Sequence, residues 1–385
     1  MDTEQKLNIL ADSSKYDLAC ACKMADEPGR TRGPEGRWIY PAVLPSGRKT
    51  FLLKVLQSNN CVNDCSYCPF NSKRDAVRCR LMPEELAKTF MQLVDAGKVS
   101  GLFVSSGVRQ CGDTAMADML ATVELLRSRY HFGGFVHLKV IPGASDAAIE
   151  QAVRIANRVS INIEAPNAQR LGQLTRGKDF YRDIIAGMEK IQRCCQEVNQ
   201  HRESKGRKRS QTTQFVVGAA GETDKEIVLA TDRLYSRFDM ERVYFSGYQD
   251  IDKKTEPANM NLFNEPEKTN PGNPDNIFVR EHRLYQVDFL LRKYKFSRDE
   301  IYFEDNGNLS LKDDPKLVWA KRHPEKFPVA VNKADLEELL RVPGIGPIGA
   351  QQIIKARQHH KIRNRQELKS LGVRYNVANG YLAFS

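Results

Sequence analysis

Three cysteines, Cys61, Cys65 and Cys68, fall within eight residues as Cys-Val-Asn-Asp-Cys-Ser-Tyr-Cys, directly after the apolar run Phe51-Leu52-Leu53-Lys54-Val55-Leu56. This CxxxCxxC spacing constrains the chain more than any other feature, because it sets three soft ligands on one short loop at the end of a strand-like segment. Clusters that only carry electrons usually take four thiolates. Three thiolates on one loop can hold three irons of a 4Fe-4S cube and leave the fourth open to a substrate or cofactor. The competing readings are a zinc site and three unrelated buried thiols. Structural zinc sites pair such a knuckle with a second one or with histidines, and none follows downstream at ligand spacing. The spacing favours the open cluster.

At 385 residues the chain exceeds one core, since cores stop growing near ~250 to 300 residues. The expected organisation is an extension over 1–50, a main domain over 51–250, a connector over 251–330 and a small module over 331–385. No apolar run reaches membrane-spanning length, and the start Met-Asp-Thr-Glu-Gln-Lys lacks the pattern of a signal peptide. A cytoplasmic protein without a membrane partner is expected, with its nine cysteines serving as ligands or reduced core thiols rather than disulfides. The formal net charge is +11 and the pI about 9.1, a balance that suits a polyanionic partner such as nucleic acid. The last 55 residues alone hold nine basic against four acidic side chains.

Short apolar runs at 52–56, 101–105, 135–141, 159–163, 213–217 and 242–245 alternate with segments of helical periodicity such as 83–96 and 114–130. That alternation predicts an α/β fold with a parallel sheet, closed as a partial (β/α)6 TIM-like barrel. Chemistry in such barrels gathers at the carboxyl ends of the strands, which is where the cysteine loop falls. Residues 201–210 read as a mobile basic loop, 259–275 as irregular and 280–294 as a helix. No internal repeat is apparent.

The cysteine loop, with Tyr67 just before its third cysteine, resembles the signature of the radical SAM superfamily. The resemblance implies a 4Fe-4S cluster whose open iron chelates S-adenosylmethionine (SAM), and an external reductant such as flavodoxin or ferredoxin. Ser105-Ser106-Gly107 stands where the superfamily often has Gly-Gly-Glu, so its carbonyls or hydroxyls become candidates for the methionyl amine. Asn162 and Glu164 share a face if their strand continues and suit the ribose hydroxyls. Lys139 can pair with the methionine carboxylate or a substrate phosphate. Gly218, Ala219 and Glu222 lie in the turn after the fifth strand, which implies an adenine contact, with Glu222 beginning the next helix where a carboxylate is favoured. Cys111 reads as a hydrogen-atom donor at the mouth or as a buried structural thiol. Cys194 and Cys195 read as structural, and an auxiliary cluster from Cys20, Cys22, Cys79 and Cys111 has no supporting spacing.

The tail reads as a helix capped by Asn332 and running to Val342, the turn Pro343-Gly344-Ile345-Gly346, and a second helix over 347–358. Ile348, Ile353 and Ile354 are expected to face Leu336, Leu339 and Leu340. The pattern resembles the helix-hairpin-helix DNA-binding motif. Glycines at 344 and 346, flanking Ile345, would bare backbone N–H groups toward a phosphate at a helix start, with Lys355 and Arg357 adding charge. Such contacts hold nucleic acid without reading its sequence. A protein-binding or purely structural hairpin is the alternative.

Together the two segments make the chain resemble the DNA modification or repair radical SAM proteins associated with a uracil-DNA-glycosylase-like partner. Matching stretches include Lys6-Leu7-Asn8-Ile9-Leu10-Ala11-Asp12, Lys15-Tyr16-Asp17, residues 214–222 and residues 281–288. The resemblance implies reductive cleavage of SAM and radical chemistry on a DNA base or sugar. An RNA-modifying radical SAM enzyme and a non-catalytic iron-sulfur DNA-binding partner of a glycosylase remain alternatives.

Overall fold

The computed structural model describes residues 1–13, 39–43, 49–200, 208–249 and 274–384. Lys15-Tyr16-Asp17, Cys20, Cys22, most of the 201–210 loop and all but the end of the 259–275 segment lie outside the described residues. The chain divides into two compact units, Met1–Glu222 with Arg233–Asn270, and Thr223–Asp232 with Pro271–Ser385.

In the first unit, α1 (Thr3–Ser13) precedes a seven-stranded sheet in sequence order: β1 (Ile39–Val43), β2 (Lys49–Leu56), β3 (Gly101–Ser105), β4 (Phe135–Lys139), β5 (Arg158–Ser160), β6 (Ser210–Val217) and β7 (Arg242–Gly247). Strands β2 to β7 pair in parallel and curl into a half-barrel, while β1 adds an antiparallel edge. The edge strand was not foreseen, because Pro41 sits at its centre, where a missing N–H is tolerated only on an edge. The crossovers are α2 (Pro83–Asp95), α3 (Gly112–Ser128), α4 (Asp146–Ile155), then α5 (Ala168–Leu174), a π-helical turn Phe180–Ile185 and α6 (Ala186–Gln200), and finally α7 (Asp224–Phe238), whose first half falls in the second unit.

Register explains which side chains reach the mouth. Leu53, Leu102 and Val136 align across β2 to β4, and so do Val55, Val104 and Leu138; all six are fully buried. Side chains alternate along a strand, so the opposite face carries Lys54, Phe103 and His137 in one row. Two residues further along that face come Ser105 and Lys139, and Asn162 follows Ser160 in the same way. A polar face ending in polar side chains is what the half-barrel presents at its carboxyl edge.

The second unit contains α8 (Pro274–Lys293), α9 (Pro315–Arg322), β8 (Val329–Ala330), α10 (Leu336–Arg341), α11 (Pro347–Arg357), α12 (Arg365–Ser370), α13 (Tyr375–Ala378) and β9 (Leu382–Ala383), with β8 and β9 paired in parallel. Asp335, not Asn332, caps α10: its carboxylate accepts from Glu338 N (2.8 Å) while Glu338 reaches back to Asp335 N (2.8 Å), a capping box. Asn332 instead binds Ile362 and Phe384 carbonyls. Ile348 is 72 % exposed; at the second position of α11 it points away from the core that Ile353 enters. An internal repeat is present after all. Gly344 (φ +83°) and Gly372 (φ +81°) each precede a buried Ile345 or Val373, follow a buried Leu340 or Leu368 by four residues, and precede a buried Ala350 or Ala378 by six. The two hairpins interlock, Arg374 N donating to Gly344 O at 3.0 Å.

Candidate functional site

The cysteine loop is held from both sides. On one side Arg78 donates to the carbonyls of Asn59 (2.7 Å), Phe70 (2.8 Å), Asn71 (2.9 Å) and Arg74 (2.8 Å), joining the two ends of the loop through one planar fork. Such multiple donation is what a guanidinium does and an ammonium cannot. On the other side the segment after α5 closes over it. Ser66 N donates to Leu174 O (2.8 Å), and Thr175 Oγ1 and Arg176 N donate to Asp64 Oδ1 (2.7 and 3.1 Å). The Thr175 hydroxyl bond holds the Asp64 carboxyl below its ordinary range. Gly177 packs so close that a Cβ there would meet Asn63 Oδ1 at 2.9 Å, and the Asn63 side chain would have to move aside.

Within this frame Cys61, Cys65 and Cys68 line one cavity of about 540 Å³ at the carboxyl ends of the strands. Burial pushes the Cys68 thiol up to about 12, and the neighbouring Cys65 and Cys61 add like-charge repulsion. A thiolate at Cys68 therefore needs a cation beside it, which a bound metal would supply. Among the described residues no group of three His, Cys, Asp or Glu is gathered closely enough to hold a metal ion. A cube spreads its ligands over several irons, so the donor set and the cavity fit a 4Fe-4S cluster.

Next to the loop lies a buried charged group that the sequence did not reveal. Lys178 Nζ bonds Tyr67 Oη and Glu164 Oε1, each at 3.1 Å, and Glu164 Oε2 accepts from Asn162 Nδ2 at 3.3 Å. Burial is the largest influence and works against the Lys178 charge, but the Glu164 carboxylate together with the Cys65 and Cys68 thiols outweighs it and raises the pKa. Burial, with the Glu164 charge added, also holds the Tyr67 phenol well above its usual value. Glu164 has φ +62°, with Ala165 N bonded to Ile163 O (2.7 Å) around it. That tight reversal, costly for a side chain bearing a Cβ, lies four residues beyond the end of β5 at Ser160, where Glu164 still bridges Phe215 of β6, and it keeps Asn162 and Glu164 together.

Ser105, Ser106, Gly107, Lys139, Asn162 and Glu164 all line the same cavity as the cysteines. Gly107 is required sterically, because a Cβ would stand 2.4 Å from Asn60 O. The turn after β6 is different: Gly218, Ala219 and Glu222 are not part of the cavity wall. Glu222 does not begin α7, which starts at Asp224; its carboxylate folds back to Gly218 N (2.5 Å) and Ala220 N (3.0 Å) and ties the turn. Cys111 neither lines the cavity nor is buried. It is exposed at the start of α3, beside Thr114. Cys79, Cys194 and Cys195 are buried.

In the second unit, the hairpin turn has Gly344 against Arg374 O, Ile345 buried, and Ile345 N bonded to Val342 O (3.2 Å). Ile345 O accepts from Lys316 Nζ at 2.6 Å, and that ammonium also lies 4.7 Å from the Tyr294 ring centroid. Burial lowers the Lys316 pKa to about 7. Lys355 is exposed on α11. Arg357 instead braces the module, Nη1 donating to Val331 O (3.2 Å) and Ala334 O (2.6 Å). Lys316 and Lys178 carry no local sequence signature, since each meets its partners only through tertiary packing.

Residues 55–234 match the family model of the Radical SAM superfamily, and residues 325–372 match that of the helix-hairpin-helix motif. Similar solved structures include the FeFe-hydrogenase maturase HydG from Carboxydothermus hydrogenoformans (14 % identity, TM-score 0.45, 62 % of this chain and 51 % of that one). Methylornithine synthase PylB (16 %, 0.41, 52 % and 54 %) and anSMEcpe with bound AdoMet (15 %, 0.40, 62 % and 61 %) are others. The chain spans about half the length of several of these proteins. No curated protein matches it.

Proposed function

From a chain that carries a radical SAM domain joined to a helix-hairpin-helix motif, we propose an enzyme that cleaves SAM at a 4Fe-4S cluster held by Cys61, Cys65 and Cys68 and acts on DNA. The observation that carries this reading is three thiols of one braced loop sharing a cavity with the polar ends of the parallel strands. When bound and reduced by an external donor, the cluster supplies the electron that splits SAM into methionine and a 5′-deoxyadenosyl radical, the hard chemistry belonging to the cofactors.

The chain's own residues bind, orient and exclude water. Arg78 and the Leu174 to Lys178 segment hold the cysteine loop in shape for iron. Ser105, Ser106 and the Gly107 turn would receive the aminoacyl end of SAM, while Asn162 and Glu164 would offer an amide and a carboxylate to the ribose. Lys139 presents a cation to a carboxylate or phosphate. The Gly344 hairpin and Lys355 supply DNA phosphate contacts without base reading. A base stacked in a duplex does not reach a cavity of this kind, so it enters flipped out or in single-stranded DNA. A uracil-DNA-glycosylase-like protein is the proposed partner, handing over or receiving the same lesion-bearing strand.

The test uses DNA carrying deuterium in its bases or in its sugars. Deuterium recovered in 5′-deoxyadenosine from one of these pools supports DNA as substrate and names the part attacked. Transfer from tRNA but not from DNA would replace DNA with RNA in the reading.

A further inference from the structure

The cavity reaches past the strands that the proposed SAM contacts use. Gln214 and Val216 line it from β6 and Ser246 from β7, whereas Phe215 and Phe245 stack on each other outside it, ring centroids 6.0 Å apart. Side chains alternate along paired strands, so the Gln214 and Ser246 side chains point into the cavity, with Gln214 opposite Tyr244 and Val216 opposite Ser246 in the ladder. Both polar residues are deeply buried, Gln214 being 7 % and Ser246 6 % exposed. Yet among the described residues neither the Gln214 amide nor the Ser246 hydroxyl has a hydrogen-bond partner; Gln214 reaches Glu164 N (3.0 Å) only with its backbone carbonyl. Buried polar side chains are as a rule hydrogen-bonded. The neighbours of Gln214 on the outer face obey that rule, Gln211 donating to Phe238 O and Thr213 to Ile161 O, each at 2.7 Å.

Resting on the DNA reading above and deepening it, we infer that Gln214 and Ser246 hold the hydrogen-bonding edge of the flipped-out substrate base. A ligand that displaces water from such groups has to match their hydrogen bonds. The Gln214 amide sets a donor beside an acceptor, and so does the pairing edge of every nucleobase, the match that makes a bidentate contact. A phosphate or carboxylate presents acceptors alone and leaves the amide oxygen unmet. The Ser246 hydroxyl donates or accepts by rotation and takes the group next along the edge. Tyr248, half-buried and two residues past Ser246, brings an aromatic ring to the same cavity, and Ile141 and Pro142 beyond β4 add an apolar wall. Such surfaces suit the faces of a base. The adenine of SAM carries an edge of the same kind. The groups proposed for SAM lie on the loop after β2, on the turn after β3 and beyond β5, which leaves β6 and β7 to the substrate.

The experiment uses full-length, cluster-loaded protein with SAM, kept anaerobic, and follows binding by anisotropy. The probes are single strands of abasic sugars carrying one central adenine, cytosine, guanine, thymine or uracil, with the wholly abasic strand as reference. Wild-type protein is expected to prefer at least one base-bearing strand over the abasic one by about tenfold or more, the size of one bidentate base contact. Gln214→Leu should abolish that preference and Ser246→Ala reduce it, with iron content, SAM affinity and abasic-strand affinity unchanged. Should Gln214→Leu fail to load the cluster, Ser246→Ala carries the comparison. No base preference in the wild type, or the same preference in the loaded variants, overturns the inference. So does a loss of SAM affinity with the base preference intact, which would give these groups to the adenine of SAM. A wild-type protein that makes no 5′-deoxyadenosine yet shows a Gln214-dependent base preference refutes the proposed function alone and supports this subsite.

Discussion

Lys178→Met tests the buried pair beside the cysteine loop. The Lys178 and Glu164 side chains are 10 % and 5 % exposed and meet at 3.1 Å. Removing one member of a buried pair strands the other charge and costs about 3–5 kcal/mol, whereas replacing both is often close to neutral. Glu164 keeps its Asn162 bond and borders the cavity, where water relieves part of the cost, so the lower end, about 3 kcal/mol, is expected for Lys178→Met. Glu164→Gln keeps an acceptor for the ammonium but removes its countercharge and should cost about 2–3 kcal/mol. The double variant should cost less than the sum of the singles by about 2 kcal/mol, a coupling typical of contacting charges. The assay is denaturant unfolding of the cluster-free protein, followed by the near-ultraviolet signal of the first unit. Strict additivity of the two single effects would refute the claim that this pair is a stabilised unit.

Other outcomes follow from close contacts and burial. Gly107→Ala forces a Cβ against the Asn60 carbonyl and should displace the start of the cysteine loop, read as lower iron content after reconstitution with the overall circular dichroism retained. Gly344→Ala meets both a left-handed φ and Arg374 O at 2.6 Å; it should destabilise the hairpin module by more than about 1 kcal/mol and weaken duplex DNA binding in a filter or anisotropy assay. Burial holds the Lys316 pKa near 7 when folded, below its unfolded value. The unfolded chain therefore binds more protons above pH 7, and stability rises as pH goes from about 7 toward 10, by up to about 1.4 kcal/mol per pH unit. Lys316→Met should flatten that slope in denaturant midpoints measured across the range.

The sheet was legible because parallel strands are buried on one face throughout, so β3 appears as Gly-Leu-Phe-Val-Ser in sequence and in space alike. β1 was hidden by Pro41, and the hairpin repeat by the shortness of α12 and α13, which are too brief to show a period. The cysteine loop and Ser105 to Gly107 could be placed at the mouth because each directly follows a strand. Lys178 could not, since 111 residues separate it from Tyr67 and nothing local marks it. The same limit applies to Arg78, whose four carbonyl acceptors form no motif. In the turn at 218–222 only the place of Glu222 differs, for a local reason: its carboxylate satisfies its own turn instead of starting the next helix. Asn332 was expected to cap the first tail helix, and Asp335 does so instead because Glu338, three residues on, closes a capping box with it.

No helix among the described residues is long and apolar enough to cross a membrane. The most direct measurement of the central claim is anaerobic. The protein is reconstituted with iron and sulfide, reduced, given SAM with and without DNA, and assayed for 5′-deoxyadenosine beside a Cys65→Ala variant. The account predicts product from the intact cysteine loop and none from the variant. A full 4Fe-4S cluster in the wild-type protein with no 5′-deoxyadenosine, with or without DNA, would contradict it.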